Sequence, residues 1–151
     1  MEFTGTLRAF AQAAAVTACA AAALAVTAPG ASAATYYNVH NANTGTCLDS
    51  NTAGDVYTLN CNGNDNQRWH IAGGKFTDKA TGWCLSSDGV SVKTQRCLAI
   101  PAQQWTTTPD AKKWIEWNHS GKCLHSSGAS GEHVGLRACG AGSSRWTFTA
   151  S

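Results

Sequence analysis

Seven cysteines and nine acidic side chains are the chain's candidates for covalent or acid–base chemistry. A glycoside-cleaving pair needs two carboxylates held across a cleft. The acids offer no such pair. Asp49, Asp55, Asp65, Asp78, Asp88 and Asp110 all stand in turn-like contexts, and no spacing singles out two of them. Gly-x-Ser-x-Gly, the turn that presents a nucleophilic serine, is absent. The five histidines (40, 70, 119, 125 and 133) show no ligand spacing such as His-x-x-x-His, and His125 with His133 reads as an ordinary surface pair. No Cys-x-x-Cys occurs either, so no zinc site is expected. The residues point away from an enzyme, a cofactor and a metal.

Disulfide chemistry is what remains for the cysteines, and it needs an oxidising compartment. The first 33 residues read as the export signal. Arg8 ends a short leading region, and Ala9 to Val26 is an Ala-rich apolar stretch. Pro29-Gly30 breaks it, and Ala31-Ser32-Ala33 fits a small-x-small cleavage site. A membrane anchor is the weaker reading, because alanine gains little on transfer to lipid and no basic stop-transfer cluster follows. The mature chain is expected to start near Ala34 and to be secreted, with a leader of bacterial type. Cys19 leaves with the leader, and six cysteines remain: Cys47, Cys61, Cys84, Cys97, Cys123 and Cys139. An even count in an exported chain reads as three disulfides.

Composition narrows the class. The chain has 151 residues, 13% charged, with a net charge of +2. No run of like charges exceeds Lys112-Lys113, so neither nucleic acid nor a membrane surface is an expected partner. Six Trp, three Tyr, four Phe and 15 Gly argue against disorder and against a helical bundle. Beyond residue 33, Leu, Ile and Val number 14, a lean aliphatic core that the disulfides must help.

The elements that hold these residues come in triplicate. The six cysteines alternate short gaps of 14, 13 and 16 with long gaps of 23 and 26. Thr44-Gly45-Thr46-Cys47-Leu48, Thr81-Gly82-Trp83-Cys84-Leu85 and Ser120-Gly121-Lys122-Cys123-Leu124 are one phrase three times. A tryptophan follows the second cysteine of each pair: Trp69, Trp105 and Trp146. The first two sit in Gln67-Arg68-Trp69 and Gln103-Gln104-Trp105, the third in Ser144-Arg145-Trp146. The copies run about 37–72, 73–108 and 111–149. Such self-similarity means a core shared between copies. Alternating runs such as Val56-Tyr57-Thr58-Leu59, punctuated by Gly-containing turns, predict about four short strands per copy. The fold class is all-β and closed or nearly so. One bridge inside each copy (Cys47–Cys61, Cys84–Cys97, Cys123–Cys139) would close a loop of about 15 residues, worth about 3 kcal/mol. The repeated Leu and Trp are expected in the core, each Trp burying roughly 150–250 Å².

Three copies of Thr/Ser-Gly-x-Cys-Leu … Cys … Gln-x-Trp resemble the ricin-type β-trefoil lectins and the trefoil carbohydrate-binding modules attached to secreted bacterial glycosidases. The resemblance covers residues 34–151. It implies a β-trefoil with up to one shallow sugar pocket per repeat and no metal. In that family an Asp two residues after the first cysteine accepts bonds from sugar hydroxyls, and an aromatic ring before the second cysteine stacks on the sugar face. An Asn before Gln-x-Trp adds further bonds. A fixed carboxylate and amide read the hydroxyl edge of a pyranose, and a ring covers its C–H face.

Carried over residue by residue, the resemblance favours the first repeat. Asp49 holds the carboxylate place, and Asn66-Gln67 precedes Trp69 as required. Leu59 stands in the aromatic place. Tyr57, two residues earlier on the same strand face, is either a displaced stacking ring or an ordinary half-exposed strand tyrosine. In the second repeat Ser86, Lys93, Gln95 and Ala102 replace the binding set. In the third His125, Gly135, Arg137 and Ser143-Ser144 do. Both of those pockets are expected to be weak or lost.

The expectation is therefore a monomeric, exported, non-catalytic protein that binds glycans, of galactose or xylose type, through Asp49, Tyr57, Asn66 and Gln67. After signal cleavage no membrane contact is expected. The sequon Asn118-His119-Ser120 is expected to stay bare in a bacterial chain. The rival is a trefoil that has lost sugar binding and acts by protein contacts, as an inhibitor or surface-interaction protein, through exposed rings at Trp114 and Trp117.

Overall fold

Alternation of side chains sets the strands. In Val56–Leu59 the valine and threonine are buried while Tyr57 and Leu59 are half-buried. Val92–Gln95 repeats the pattern with Lys93 and Gln95 exposed. Each run is too short to be stable alone, so the copies must share their faces.

The computed structural model describes residues 33–140 and 144–151. The expected signal peptide, apart from Ala33, lies outside the described residues. The first repeat contains β1 (Tyr36–Asn41), β2 (Cys47–Ser50), β3 (Val56–Leu59) and β4 (Arg68–Ala72). The second contains β5 (Lys75–Asp78), β6 (Cys84–Ser87), β7 (Val92–Gln95) and β8 (Trp105–Thr107). In the third stand β9 (Ile115–Trp117), β10 (Lys122–His125), β11 (Glu132–His133), β12 (Gly135–Ala138) and β13 (Trp146–Ala150). Four strands per repeat are thus present, with one arm of the third broken in two at Val134.

First and last strands of the repeats close a ring. β1 pairs with β4 and β4 with β5. The Trp105 amide donates to the Gly74 carbonyl, joining the start of β5 to β8. β8 pairs with β9, Lys113 and Trp146 exchange backbone bonds, and β13 returns to β1 with Val39 opposite Phe148. Backbone hydrogen bonds therefore cross every junction, and closure of this kind protects the ring strands from edge pairing. Three outer hairpins, β2–β3, β6–β7 and β10–β12, cap the ring.

The repeated tryptophans fill the middle. Trp69 and Trp146 are fully buried and Trp105 is 2% exposed. Each indole Nε1 donates to the carbonyl of the leucine that follows its repeat's first cysteine: Trp69 to Leu48 at 3.0 Å, Trp105 to Leu85 at 2.9 Å, Trp146 to Leu124 at 3.1 Å. One phrase of sequence thus yields one contact, three times. The leucines, with Val39, Val56, Phe76 and Ile115, complete the apolar cluster. Three disulfides lie within repeats, Cys47–Cys61, Cys84–Cys97 and Cys123–Cys139, as the spacing predicts.

The glutamines of Gln-x-Trp are also internal. Gln67 accepts from the Asn62 amide at 2.8 Å and donates to the Asn60 carbonyl at 3.2 Å. Gln103 does the same with Leu98 and Arg96, at 2.7 and 2.8 Å. Ser144 substitutes in the third repeat by bonding both backbone groups of Ser126. The target differs: the glutamines hold the backbone on either side of the second cysteine, whereas Ser144 holds Ser126, three residues after the first.

The exposed rings expected at Trp114 and Trp117 are not found. Trp117 is 4% exposed, with Nε1 bonded to the Ala102 carbonyl at 3.1 Å. It stands six residues before Cys123, where the other repeats have Asn41 and Asp78, and so takes an inward seat. Trp114 is half-buried because the Arg145 guanidinium lies 3.7 Å above its ring.

Candidate functional site

Antiparallel pairing of β2 with β3 sets Asp49 opposite Tyr57. Asp49 is 3% exposed, with the polar side chains of Gln67 and Tyr57 beside its carboxylate. Burial outweighs their influence and raises the Asp49 pKa above its ordinary 3.8. Tyr57 is raised above its ordinary 10.0, first by burial and then by the charges of Asp49 and Asp55.

Asn66 is the middle residue of the 3-10 turn Asp65–Gln67 that leads into β4, and it is half-buried. Its Nδ2 donates to the Ser50 carbonyl at 2.6 Å, which fixes it beside the residue after Asp49. Gln67 is fully buried, tied to Asn60 and Asn62 and beside Asp49. It can act on a ligand only by positioning Asp49. The structure thus brings the four expected residues near one another: Tyr57 opposite Asp49, Asn66 bonded to the residue after Asp49, and Gln67 buried next to Asn66 in the chain.

A fifth residue comes from another repeat. β11 pairs with β3, placing His133 opposite Tyr57. Their ring centroids are 6.1 Å apart at 76°, an edge-on contact. The Thr58 hydroxyl donates to the Ala129 carbonyl at 2.9 Å and fastens the same arm. No spacing within a repeat signals this, because the contact depends on how the third repeat leans on the first.

The equivalent places elsewhere differ. In the second repeat a hollow of about 190 Å³ remains, lined by Ser86, Lys93, Gln95 and Ala102 among others. Gln95 donates to the Ser86 hydroxyl at 2.7 Å, and no carboxylate stands where Asp49 does. In the third repeat His125 turns inward to Ser144, 3.1 Å from its hydroxyl. Burial, followed by the charge of Arg137, lowers the His125 pKa.

A second buried carboxyl lies at the seam between repeats. Asp78 is fully buried, and its Oδ2 takes the Thr81 amide at 2.9 Å and hydroxyl at 2.8 Å. Its Oδ1 has no partner. Burial raises its pKa, and the Asp49 charge adds to the effect. His40, Cys47 and Cys61 also bring donor atoms within 4.8 Å of one another. Two of those donors are bonded in a disulfide, and metal ligation needs the thiolate.

A family model, the ricin-type β-trefoil lectin domain, matches residues 35–148. No curated protein matches the sequence. Among solved structures, the chain is 26% identical to a designed three-fold symmetric protein, ThreeFoil, with a TM-score of 0.67 over 75% of this chain and 96% of that one. It is 25% identical to the hemolytic lectin CEL-III, with a TM-score of 0.65 over 74% of this chain and 29% of that one. An earthworm R-type lectin C-half in complex with GalNAc shares the fold at 15% identity, with a TM-score of 0.67 over 78% of this chain and 99% of that one. With a family match across nearly all described residues and the threefold Trp–Leu contacts beneath it, the chain belongs to the ricin-type β-trefoil lectin domain family.

Proposed function

We propose that this chain is an exported, non-catalytic carbohydrate-binding protein whose principal sugar site lies in the first repeat. The single observation that carries the reading is Asp49, a buried carboxylate paired across the hairpin with Tyr57 and with Asn66 fixed to the neighbouring Ser50 carbonyl. Asp49 and Asn66 would take the hydroxyl edge of a pyranose, and Tyr57 its apolar face. The family, and a GalNAc complex of the same fold, support a glycan partner, with galactose- and xylose-type sugars the first to test. Three disulfides suit an extracellular, monomeric protein.

A single such site binds in the millimolar to high-micromolar range, about −4 to −6 kcal/mol. Retention on immobilised polysaccharide tests it. Asp49→Ala is expected to abolish retention, and unchanged retention rejects the site. The rival reading, action through protein contacts, loses the support of exposed rings at Trp114 and Trp117, since both are covered.

A further inference from the structure

One loop of the second repeat breaks the chemical pattern of the other two. After Cys61 the chain reads Asn62-Gly63-Asn64-Asp65-Asn66, and after Cys139 it reads Gly140-Ala141-Gly142-Ser143. After Cys97 it reads Leu98-Ala99-Ile100-Pro101-Ala102. The fold does not require this. Asp65–Gln67 and Pro101–Gln103 form the same 3-10 turn, closed by the same glutamine clamp, from polar residues in one repeat and apolar residues in the other. The apolar side chains are not hidden either. Leu98 is 47% exposed, and Val90, on the facing turn between Asp88 and Ser91, is 85% exposed. These are the exposed large hydrophobics among the described residues.

The loop borders a groove made of three hollows that share walls. The first, about 190 Å³, is lined mainly by polar residues, Ser86, Lys93 and Gln95 among them. It shares Ser87, Asp88 and Ala102 with the second, about 300 Å³, which reaches Trp117. The second shares Ile100, Pro101 and His119 with the third, about 460 Å³, which ends on Gln104 and Asn118. Trp117 and His119 lie with ring centroids 5.1 Å apart, giving the middle an aromatic wall. Concave, mostly apolar surface with a few polar groups at one end is the character of a small-ligand site.

We propose that this groove binds amphiphilic glycosides, with the saccharide at Ser86, Lys93 and Gln95 and an apolar aryl, alkyl or acyl substituent along Ile100, Pro101, Trp117 and His119. Hydroxyls find donors at Lys93 and acceptors at Asp88 and the serines. The substituent covers apolar surface that the fold leaves in water, and each buried methylene adds roughly fourfold in affinity. The saccharide end rests on the carbohydrate-binding reading, whereas the apolar end stands on this chain's own loop.

The test titrates the full oxidised chain with methyl, phenyl and octyl galactosides and the matching xylosides, by calorimetry and by amide NMR. The phenyl and octyl glycosides are expected to bind at least tenfold tighter than the methyl glycosides and to shift the amides of residues 98–104 and 117–119. Ile100→Asp should return them to the methyl level, and Ala102→Trp, which fills the junction of the first two hollows, should do so independently. In Asp49→Ala the phenyl and octyl glycosides should still shift the amides of residues 98–104. Equal affinity across each series, or a gain that survives both groove variants, overturns the proposal. So does a dimer that Leu98→Asp dissociates, which would give the face to a second copy. If the methyl glycosides do not bind while the phenyl glycosides still shift residues 98–104, the first-repeat sugar site fails and the groove stands.

Discussion

The His133 ring meets the Tyr57 ring edge-on, 6.1 Å between centroids, although the two residues belong to the third and first repeats. The contact limits how Tyr57 can turn over Asp49, so the arm of one repeat steadies the ring proposed as the sugar platform of another. Aromatic pairs of this kind are worth about 0.5–1.5 kcal/mol. His133→Ala is expected to weaken glycan binding about two- to tenfold. Since His133 is exposed, the melting temperature should hardly move. Calorimetry on the variant, with thermal unfolding beside it, checks both halves.

Binding should fade on acidification at a higher pH than an ordinary aspartate would cause. Asp49 must be ionised to accept hydroxyls, and burial raises its pKa above 3.8. Affinity is therefore full above the raised value and falls as pH drops through it. The contribution to stability has the opposite sign. A raised folded pKa favours the fold below 3.8, and that advantage is lost as pH rises through the folded value. Asp49→Asn should flatten the acid limb, bind weakly at every pH and unfold later than the parent near neutrality. A titration of retention between about pH 3 and 7 reads the limb directly.

The fold was legible because repetition removes ambiguity. Cys-Leu and Trp words at matching places predict a shared core, and three identical indole–carbonyl contacts answer them. Asp49 and Asn66 were legible for the same reason, since each is fixed by its distance from a repeated word. His133 was not, because pairing between β11 and β3 depends on the tilt of one repeat against another. Trp117 was expected to be exposed and is buried. Its distance of six residues from Cys123 gives it the inward seat held elsewhere by Asn41 and Asp78, where its indole closes on the Ala102 carbonyl.

That shared seat gives a stability test. Asn41 fills it with an amide that caps Asn43 and donates to the Ser126 carbonyl at 3.4 Å. Asp78 fills it with a buried carboxylate whose Oδ1 has no partner. Near neutral pH the ionised group costs stability, and the raised pKa states the same fact. Asp78→Asn is expected to stabilise the protein by about 1 kcal/mol at pH 7, because a neutral amide costs less to bury than an ionised carboxylate. The gain should shrink as pH falls and the parent carboxyl takes up its proton. Urea melts at two pH values would show the convergence, and a gain independent of pH would reject the assignment.

The three core tryptophans should be equivalent in energy as they are in geometry. Trp→Phe at 69, 105 or 146 removes an indole N–H and leaves a leucine carbonyl buried without its donor. The penalty for such a group is about 1–3 kcal/mol, with more for the space vacated. Equal losses at the three positions are expected, because each indole meets the same carbonyl within 0.2 Å of the same distance (2.9, 3.0 and 3.1 Å). Trp117→Phe loses its bond to Ala102 as well, but that ring lines the groove of the second repeat instead of the central axis. It should therefore alter amphiphile binding in addition to stability, while the three axial variants change stability alone. Chemical denaturation of the four variants, with phenyl-glycoside titration of each, separates the two roles.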